Sequence, residues 1–284
     1  MNKVITRLGL LAVVMLLSSF QNTSHQTASG DSSPIAGTPV KTDITLPAIS
    51  NIPAYQHGEE LNYNVHYGFI TGGAASITLK QEAIDGNDVF HAVIQGRTTG
   101  LAQKLFKVLD IYESYFDVKT SLPIKSVRNV REGNYRSYNE VTFDRKNNTV
   151  NSQKSGVHKV PANLHDMVSA FFFIRRIDFS KYKGGEIINV NTFFGDELFP
   201  FYVVFKGRET VKTDLGKFKC LKFVPIVEPG RIFKERDDMT FWFSDDNNKV
   251  PVRIKFDILV GSFKCDLTSF KNTKFNMSSL VSNN

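Results

Sequence analysis

Asn163-Leu-His-Asp-Met-Val-Ser-Ala-Phe-Phe-Phe-Ile-Arg-Arg-Ile177 decides the fold, because its pattern predicts one sizeable helix in a chain of strands. The apolar residues recur at helical spacing, at Leu164, Met167, Val168, Phe171, Phe172 and Ile174. Ala170 and Phe173 extend the apolar surface beyond one narrow stripe, and a helix of that kind is usually buried. We therefore expect a helix near residues 163–177 with the rest of the chain wrapped around it.

The polar residues of the same stretch fit the two ends of a helix. Asn163 can cap the first turn, and Asp166 complements the positive end of the helix dipole. Arg175 and Arg176 complement the negative end. These positions favour a helix that runs through the whole stretch.

Alternating apolar and polar residues predict strands on both sides of this helix. From Glu60 to Phe69, every second residue is apolar, and Gly72 and Gly73 then offer a turn into a second strand. Between Thr99 and Val108, leucines at helical spacing predict a short helix with its lysines outward. So many strands with short turns imply a large antiparallel sheet, which must curl or close. The predicted fold is mainly β, a half-barrel or incomplete barrel around the helix near 163–177.

Composition divides the chain into four segments. Residues 1–20 resemble a signal peptide, with Lys3 and Arg7 before an apolar run that is too short for a comfortable membrane span. Residues 21–54 are rich in Ser, Thr and Pro and predict a disordered tether. Residues 55–270 form a single β-rich domain, and residues 271–284 form a polar, frayed C-terminal tail. We expect an exported protein of the periplasm or outer cell envelope that is not integral to the membrane once the signal is removed.

The net charge of the chain limits the classes of partner that it can bind. Removal of residues 1–20 lowers the formal charge from +7 to +5, and no basic stripe is present, so nucleic acid is not expected. Arg231, Lys234 and Arg236 form a small basic group interleaved with acidic residues, which is typical of a solvated surface.

Cys220 and Cys265 could form a disulfide in an exported protein, or each could point into the core as a small apolar residue.

Several phrases of the chain resemble the exported bacterial proteins of domain-of-unknown-function family 3108. The phrases are, in order, Gly58–Tyr63, Tyr67–Ile70, Gly73–Ala75, Glu113–Asp117, Asp166–Arg175, Gly216–Cys220, Phe241–Asp246 and Val250–Ile254. The resemblance implies an exported, mostly β domain. It supplies no catalytic residue.

The sequence offers no catalytic, cofactor-binding or metal-binding motif. The six histidines lack metal-ligand spacing, and neither a nucleophile elbow nor a phosphate-binding loop is present. Paired carboxylates are neighbours along strands, which points them to opposite faces. We therefore predict no catalytic residue, no metal ligand and no cofactor. Five residues remain as candidate pocket or family-motif residues: Tyr63, Tyr67, His165, Arg175 and Trp242.

Aromatic residues are the most distinctive feature of the composition, with 24 Phe and 9 Tyr. Most are expected in the core. The runs Phe171–Phe173, Phe193–Phe194 and Phe199–Tyr202 put aromatic rings on both faces of their elements, so some of them are candidates for the lining of a cavity.

Four hypotheses about function follow. The first is a non-enzymatic exported protein that binds a lipid-like or envelope-derived apolar ligand. The second is an envelope assembly or interaction module that binds a protein partner and has no internal ligand. The third is an enzyme acting on glycan or lipid. The fourth is an outer-membrane barrel, which the outward charges of Arg253, Lys255 and Asp257 disfavour.

Overall fold

The computed structural model describes residues 47–226, 239–257 and 261–281. The predicted signal peptide, most of the predicted tether and the basic group around Arg231 lie outside these residues. Within the described residues, no helix is long and apolar enough to cross a membrane.

Two helices and fifteen strands make up the described part of the chain. The helices are α1 (Gly100–Leu105) and α2 (Met167–Ile174). The strands are β1 (Glu60–Tyr67), β2 (Ile70–Ile84), β3 (Asn87–Thr98), β4 (Val108–Asp117), β5 (Pro123–Glu132), β6 (Tyr135–Asp144), β7 (Thr149–Ser152), β8 (Gly156–Lys159), β9 (Ile187–Phe194), β10 (Glu197–Thr213), β11 (Gly216–Pro225), β12 (Met239–Ser244), β13 (Pro251–Asp257), β14 (Ser262–Lys271) and β15 (Leu280–Val281).

The strands form one antiparallel sheet in the order β8-β7-β6-β5-β4-β3-β2-β1-β14-β13-β12-β11-β10-β9, and β15 pairs with β11. The two edge strands approach each other, since the rings of His158 on β8 and Phe193 on β9 lie 5.2 Å apart. Asp196, in the turn after β9, accepts hydrogen bonds from Asn139 and Ser155 on the β6–β8 side. The sheet therefore curls into an incomplete barrel, as the sequence predicted.

The helix inside this curved sheet is shorter than the sequence predicted. It begins at Met167, and its cap is Asp166 rather than Asn163. Asp166 accepts hydrogen bonds from the backbone N–H groups of Val168 and Ser169 at 2.8 and 2.9 Å, while the Ser169 hydroxyl accepts one from the Asp166 N–H. Asn163 lies in a turn before the helix, and the backbone of His165 pairs with β9. An aspartate cap with a serine three residues later satisfies the first turn better than Asn163 could from outside it.

Aromatic side chains from other parts of the fold pack against α2 and bury it. Phe172 is fully buried, and its ring lies 4.9 Å from that of Tyr55 and 5.3 Å from that of Phe116. Phe171 packs against Phe243 on the opposite side, with 5.1 Å between the rings. Aromatic contacts on two sides fix α2 between the two halves of the sheet.

The folded domain extends beyond both of its predicted limits. Ile49, within the predicted tether, pairs with Ile177, and the Asp178 N–H donates to the Ala48 carbonyl at 2.9 Å. At the other end, Ser279 is buried and Leu280 lies in β15. Residues 271–281 of the predicted tail therefore belong to the described fold. They form hydrogen bonds to the turn that precedes β13, which their polar composition did not indicate.

Both cysteines are buried free thiols. Burial raises the pKa of Cys220 to about 12 and also raises the pKa of Cys265. Of the two sequence hypotheses, the small apolar core residue fits this arrangement.

Candidate functional site

A largely apolar cavity lies between α2 and the concave face of the sheet. Its volume is about 110 Å³. The lining residues come from α2, from nine strands on both sides of it and from the residue that follows β11: Tyr63, Ala75, Ile77, Ile94, Tyr112, Met167, Val168, Phe171, Ile174, Phe199, Phe201, Val203, Phe223, Ile226, Phe241, Phe243, Pro251, Ile254 and Cys265. A cavity with this lining favours apolar matter over water.

Part of the cavity lining is accessible to solvent, unlike the side chains of a closed core. Phe171 and Met167 on α2, Phe199 and Phe201 on β10, and Ile94 on β3 are all half-buried. The side chains that meet them across the cavity, such as Phe243, are buried. The half-buried group therefore forms the mouth of the cavity.

Two tyrosines place hydroxyl groups in this apolar wall. The Tyr63 hydroxyl donates to the Pro251 carbonyl at 3.0 Å, so its hydrogen bond is satisfied within the fold. The Tyr112 hydroxyl is buried and has no hydrogen-bond partner among the described residues. Burial raises the pKa of both tyrosines, so both hydroxyls are neutral donors at neutral pH. Tyr112 thus places a buried hydroxyl at the cavity wall, opposite Arg128 on the neighbouring strand.

A smaller cleft of about 50 Å³, which is less apolar than the cavity, adjoins it. The two spaces share the side chains of Tyr112, Met167 and Val168. Arg128 lines the cleft, and two of its guanidinium nitrogens are buried without a hydrogen-bond partner among the described residues. Its guanidinium carbon lies 5.7 Å from the centre of the Phe194 ring, which also lines the cleft.

Asp110 adds charge on the inner face next to Tyr112. Burial raises the pKa of Asp110 to about 6, and a hydrogen bond from the Arg131 N–H at 2.7 Å and the positive charge of Arg128 oppose that rise. Asp110 itself lines neither space, and the polar atoms of the cleft come from residues such as Arg128, Asn139 and Asp196.

Tyr63 is the only one of the five sequence-predicted residues that lines the cavity. Tyr67 lies at the end of β1, is 38% exposed, and packs against Phe263 with 4.9 Å between the rings. Trp242 lies on the outer face between Lys222 and Arg253, and its indole N–H donates to Glu209. The structure therefore places neither Tyr67 nor Trp242 at the cavity.

His165 and Arg175 are buried in structural contacts. The His165 ring packs 4.8 Å from Phe173, and burial together with the nearby charge of Arg145 lowers its pKa to about 3. Arg175 is fully buried and binds both carboxylate oxygens of Glu59, at 2.6 and 2.8 Å. Arg175 therefore stabilises the packing beneath α2 and does not face the cavity.

The aromatic runs were the better sequence signal. Phe171, Phe199 and Phe201 line the cavity, and Phe193 and Phe194 line the cleft. Sequence reasoning missed Tyr112 and Arg128, since neither belongs to a motif and both lie in ordinary alternating strands. Their register, Tyr112 opposite Arg128 on neighbouring strands, puts them on the same inner face. Within the described ranges, no three His, Cys, Asp or Glu side chains come close enough to hold a metal ion.

The fold and the cavity define a β-barrel-like protein with an open sheet and an internal helix. A solved structure with this architecture is the beta-barrel-like protein of domain of unknown function DUF1849 from Brucella abortus. It is 9% identical, with a TM-score of 0.52, over 78% of this chain and 98% of that one. At that identity the likeness shows the fold alone.

A family model described as "Protein of unknown function (DUF3108)" matches residues 62–268. The chain therefore belongs to the DUF3108 family, as the resemblance of its phrases implied. No curated protein matches the chain.

Two further solved structures are more distant. A DUF1089 family protein from Pseudomonas aeruginosa is 9% identical over 68% of this chain and 92% of that one, with a TM-score of 0.37. A Bacteroides fragilis protein with a YmcC-like fold, described as a candidate exported protein, is 12% identical over 79% of this chain and all of that one (100%), with a TM-score of 0.29. Neither likeness is close enough to support an argument.

Proposed function

We propose that this protein is an exported, non-enzymatic binding protein whose cavity takes a lipid-like, apolar ligand. The observation that carries the proposal is the cavity, whose apolar lining includes a half-buried mouth formed by Phe171, Phe199 and Phe201. Proteins normally fill interior space of this kind with side chains. Space that is left unfilled and bordered by half-buried aromatic rings suits an apolar guest.

The size of the cavity limits how the ligand is held. At about 110 Å³, it is smaller than an engineered apolar cavity of roughly 150 Å³ that binds benzene. An acyl chain therefore requires side chains at the mouth to change rotamer. Met167 and Phe171 are suited to that change, because methionine is flexible and both side chains are half-buried.

Export is supported by residues 1–20, whose basic start and apolar run are typical of a signal peptide. Expression in an exporting bacterial host followed by intact-mass measurement tests this part. We expect a mature chain that lacks residues near 1–20. An unprocessed chain retained in the cytoplasm would refute it.

Ligand binding is tested first by native mass spectrometry, with organic extraction, of the protein purified from such a host. We expect a reproducible additional mass of lipid or glycolipid. A clean apo mass, with no gain after incubation with envelope extract, would refute the proposal and favour the interaction module without an internal ligand.

Cavity-filling variants test the site itself, with cis-parinaric acid as a fluorescent apolar probe. Ala75 lies on the inner face of β2 opposite Tyr63, so Ala75→Trp should fill the cavity and reduce probe affinity at least tenfold. Ala83 is exposed on the same strand, and Ala83→Trp is the matched control. Ile94→Phe is a smaller change at the mouth if Ala75→Trp overpacks the core. Unchanged binding by folded Ala75→Trp and Ile94→Phe proteins would rule out this cavity as the site.

A further inference from the structure

One end of the sheet carries exposed apolar side chains on two neighbouring segments. In the β1–β2 turn and the start of β2, Phe69 is 97% exposed and Ile70 is 58% exposed. On α1, Leu101 and Leu105 are 77% and 80% exposed. We call these four residues the end surface. Single exposed apolar residues are ordinary, but a group of them on one end marks an interaction site.

Folding does not account for the leucines of α1. The helix has only six residues, and none of them is buried. Leu101 and Leu105 are four residues apart, so both lie on the same face of the helix. The sequence predicted outward lysines here, and in the structure the leucines are exposed as well. A short helix gains little by itself in water, so an apolar face turned to solvent needs another explanation.

Backbone contacts join the end surface to the adjoining turns. The Thr99 N–H donates to the Gly72 carbonyl at 3.0 Å, and the Gly133 N–H donates to the Lys107 carbonyl at 2.8 Å. Gly133 has a φ of +55°, and a Cβ there would lie 2.6 Å from the Phe106 ring. The ring of Phe106 therefore packs closely on the β5–β6 turn, and α1 is held between two turns at this end.

The segments that form and adjoin the end surface carry mostly basic residues. Residues 66–72, 97–107 and 131–136 contain one acidic residue, the half-buried Glu132. The same segments contain five exposed basic residues: Arg97, Lys104, Lys107, Arg131 and Arg136. Surfaces that bind anionic membranes typically combine exposed apolar residues with surrounding lysines and arginines.

We propose that the end surface docks on the surface of an anionic phospholipid bilayer. Phe69, Ile70, Leu101 and Leu105 enter the boundary between headgroups and acyl chains, while the basic residues contact lipid phosphates. A side chain exposed to 97%, such as Phe69, projects from its turn rather than lining a groove. That shape suits a deformable bilayer better than a matching protein surface. The proposal goes beyond ligand binding and does not depend on the cavity being occupied.

Flotation of the purified mature protein with vesicles tests the proposal. One set of vesicles contains phosphatidylglycerol and phosphatidylcholine, and the other contains phosphatidylcholine alone. We expect binding to the anionic set that weakens as salt is raised. Phe69→Ser combined with Leu101→Ser should weaken this binding at least about tenfold, because two large apolar side chains no longer leave water. Lys104→Gln with Lys107→Gln should remove most of the preference for the anionic set.

The matched control is Ile52→Ser, which removes a 60% exposed aliphatic side chain near the opposite end of the sheet. It should bind vesicles as the parent does. Equal binding by the Phe69/Leu101 variant, or equal binding to both vesicle sets, would overturn the proposal. A parent that dimerises through this end, as shown by size-exclusion chromatography, and does not float would assign the surface to a second copy instead.

The proposals for the cavity and for the end surface can be refuted independently of each other. Ala75→Trp should lose probe binding and still float with vesicles, whereas the Phe69/Leu101 variant should keep probe binding and fail to float.

Discussion

The pair formed by Glu59 and Arg175 provides the sharpest test of the structure. Both side chains are almost completely buried, and Arg175 also donates to the carbonyls of Ala54 and Asn248. Glu59 is the only carboxylate within 4.0 Å of Arg175 among the described residues. Glu59→Gln preserves shape but leaves the guanidinium charge buried without a counterion.

Breaking a buried pair by removing one partner costs about 3–5 kcal/mol. We expect Glu59→Gln to lower the free energy of unfolding by about 3 kcal/mol, since the amide oxygen keeps one hydrogen bond. If Arg175 merely complemented the end of α2, as the sequence suggested, the effect of its charge would be about 0.3–1 kcal/mol. The two explanations therefore predict different magnitudes.

Urea unfolding followed by far-UV circular dichroism measures the difference. Arg175→Met alone and in combination with Glu59→Gln completes a double-mutant cycle, in which the double variant should lose clearly less than the sum of the single losses. The control is Asp245→Asn, which breaks the half-exposed pair with Arg208 and should cost less than about 1 kcal/mol. A loss of that small size for Glu59→Gln, or a coupling near zero, would refute the buried-pair argument.

Three further predictions concern stability. Because the pKa of Asp110 is raised to about 6, the folded state binds its proton more tightly than the unfolded state, so ionisation lowers stability as pH rises from about 4 to 6. Asp110→Asn should remove about 2 kcal/mol of the loss that falls between pH 4.5 and 7.5 in urea titrations, whereas the exposed Asp85→Asn should not; equal pH dependence in all three proteins would contradict this. Asp166→Ala should lower the free energy of unfolding by at least about 2 kcal/mol, because the cap and a buried hydrogen-bond acceptor are lost. Asp166→Asn should lower it less, and an equal decrease in both variants would argue against the cap. Gly133→Ala should lower the melting temperature, because its φ is positive and the new Cβ would meet Phe106; an unchanged melting temperature would show that the turn adjusts freely.

Only some of the residues that line the cavity could be predicted from the sequence. Aromatic runs pointed to Phe171, Phe199 and Phe201, since rings on both faces of an element cannot all belong to one core. Tyr112 and Arg128 gave no such signal. Their importance comes from being neighbours on paired strands that face inward, and strand pairing over a distance is set by the whole sheet.

The sequence by itself determined the class of fold. Period-two alternation between short turns required a large antiparallel sheet, and the apolar stretch around Phe172 required a helix that the sheet must cover, because exposed apolar surface is unfavourable in water. The tertiary structure decided the roles of individual polar residues. Arg175, taken from sequence as the end of a helix, is the buried partner of Glu59, 116 positions earlier in the chain. It also decided that Leu101 and Leu105 remain exposed. Local pattern reports which side chains share a face, whereas burial depends on what the rest of the chain brings to that face.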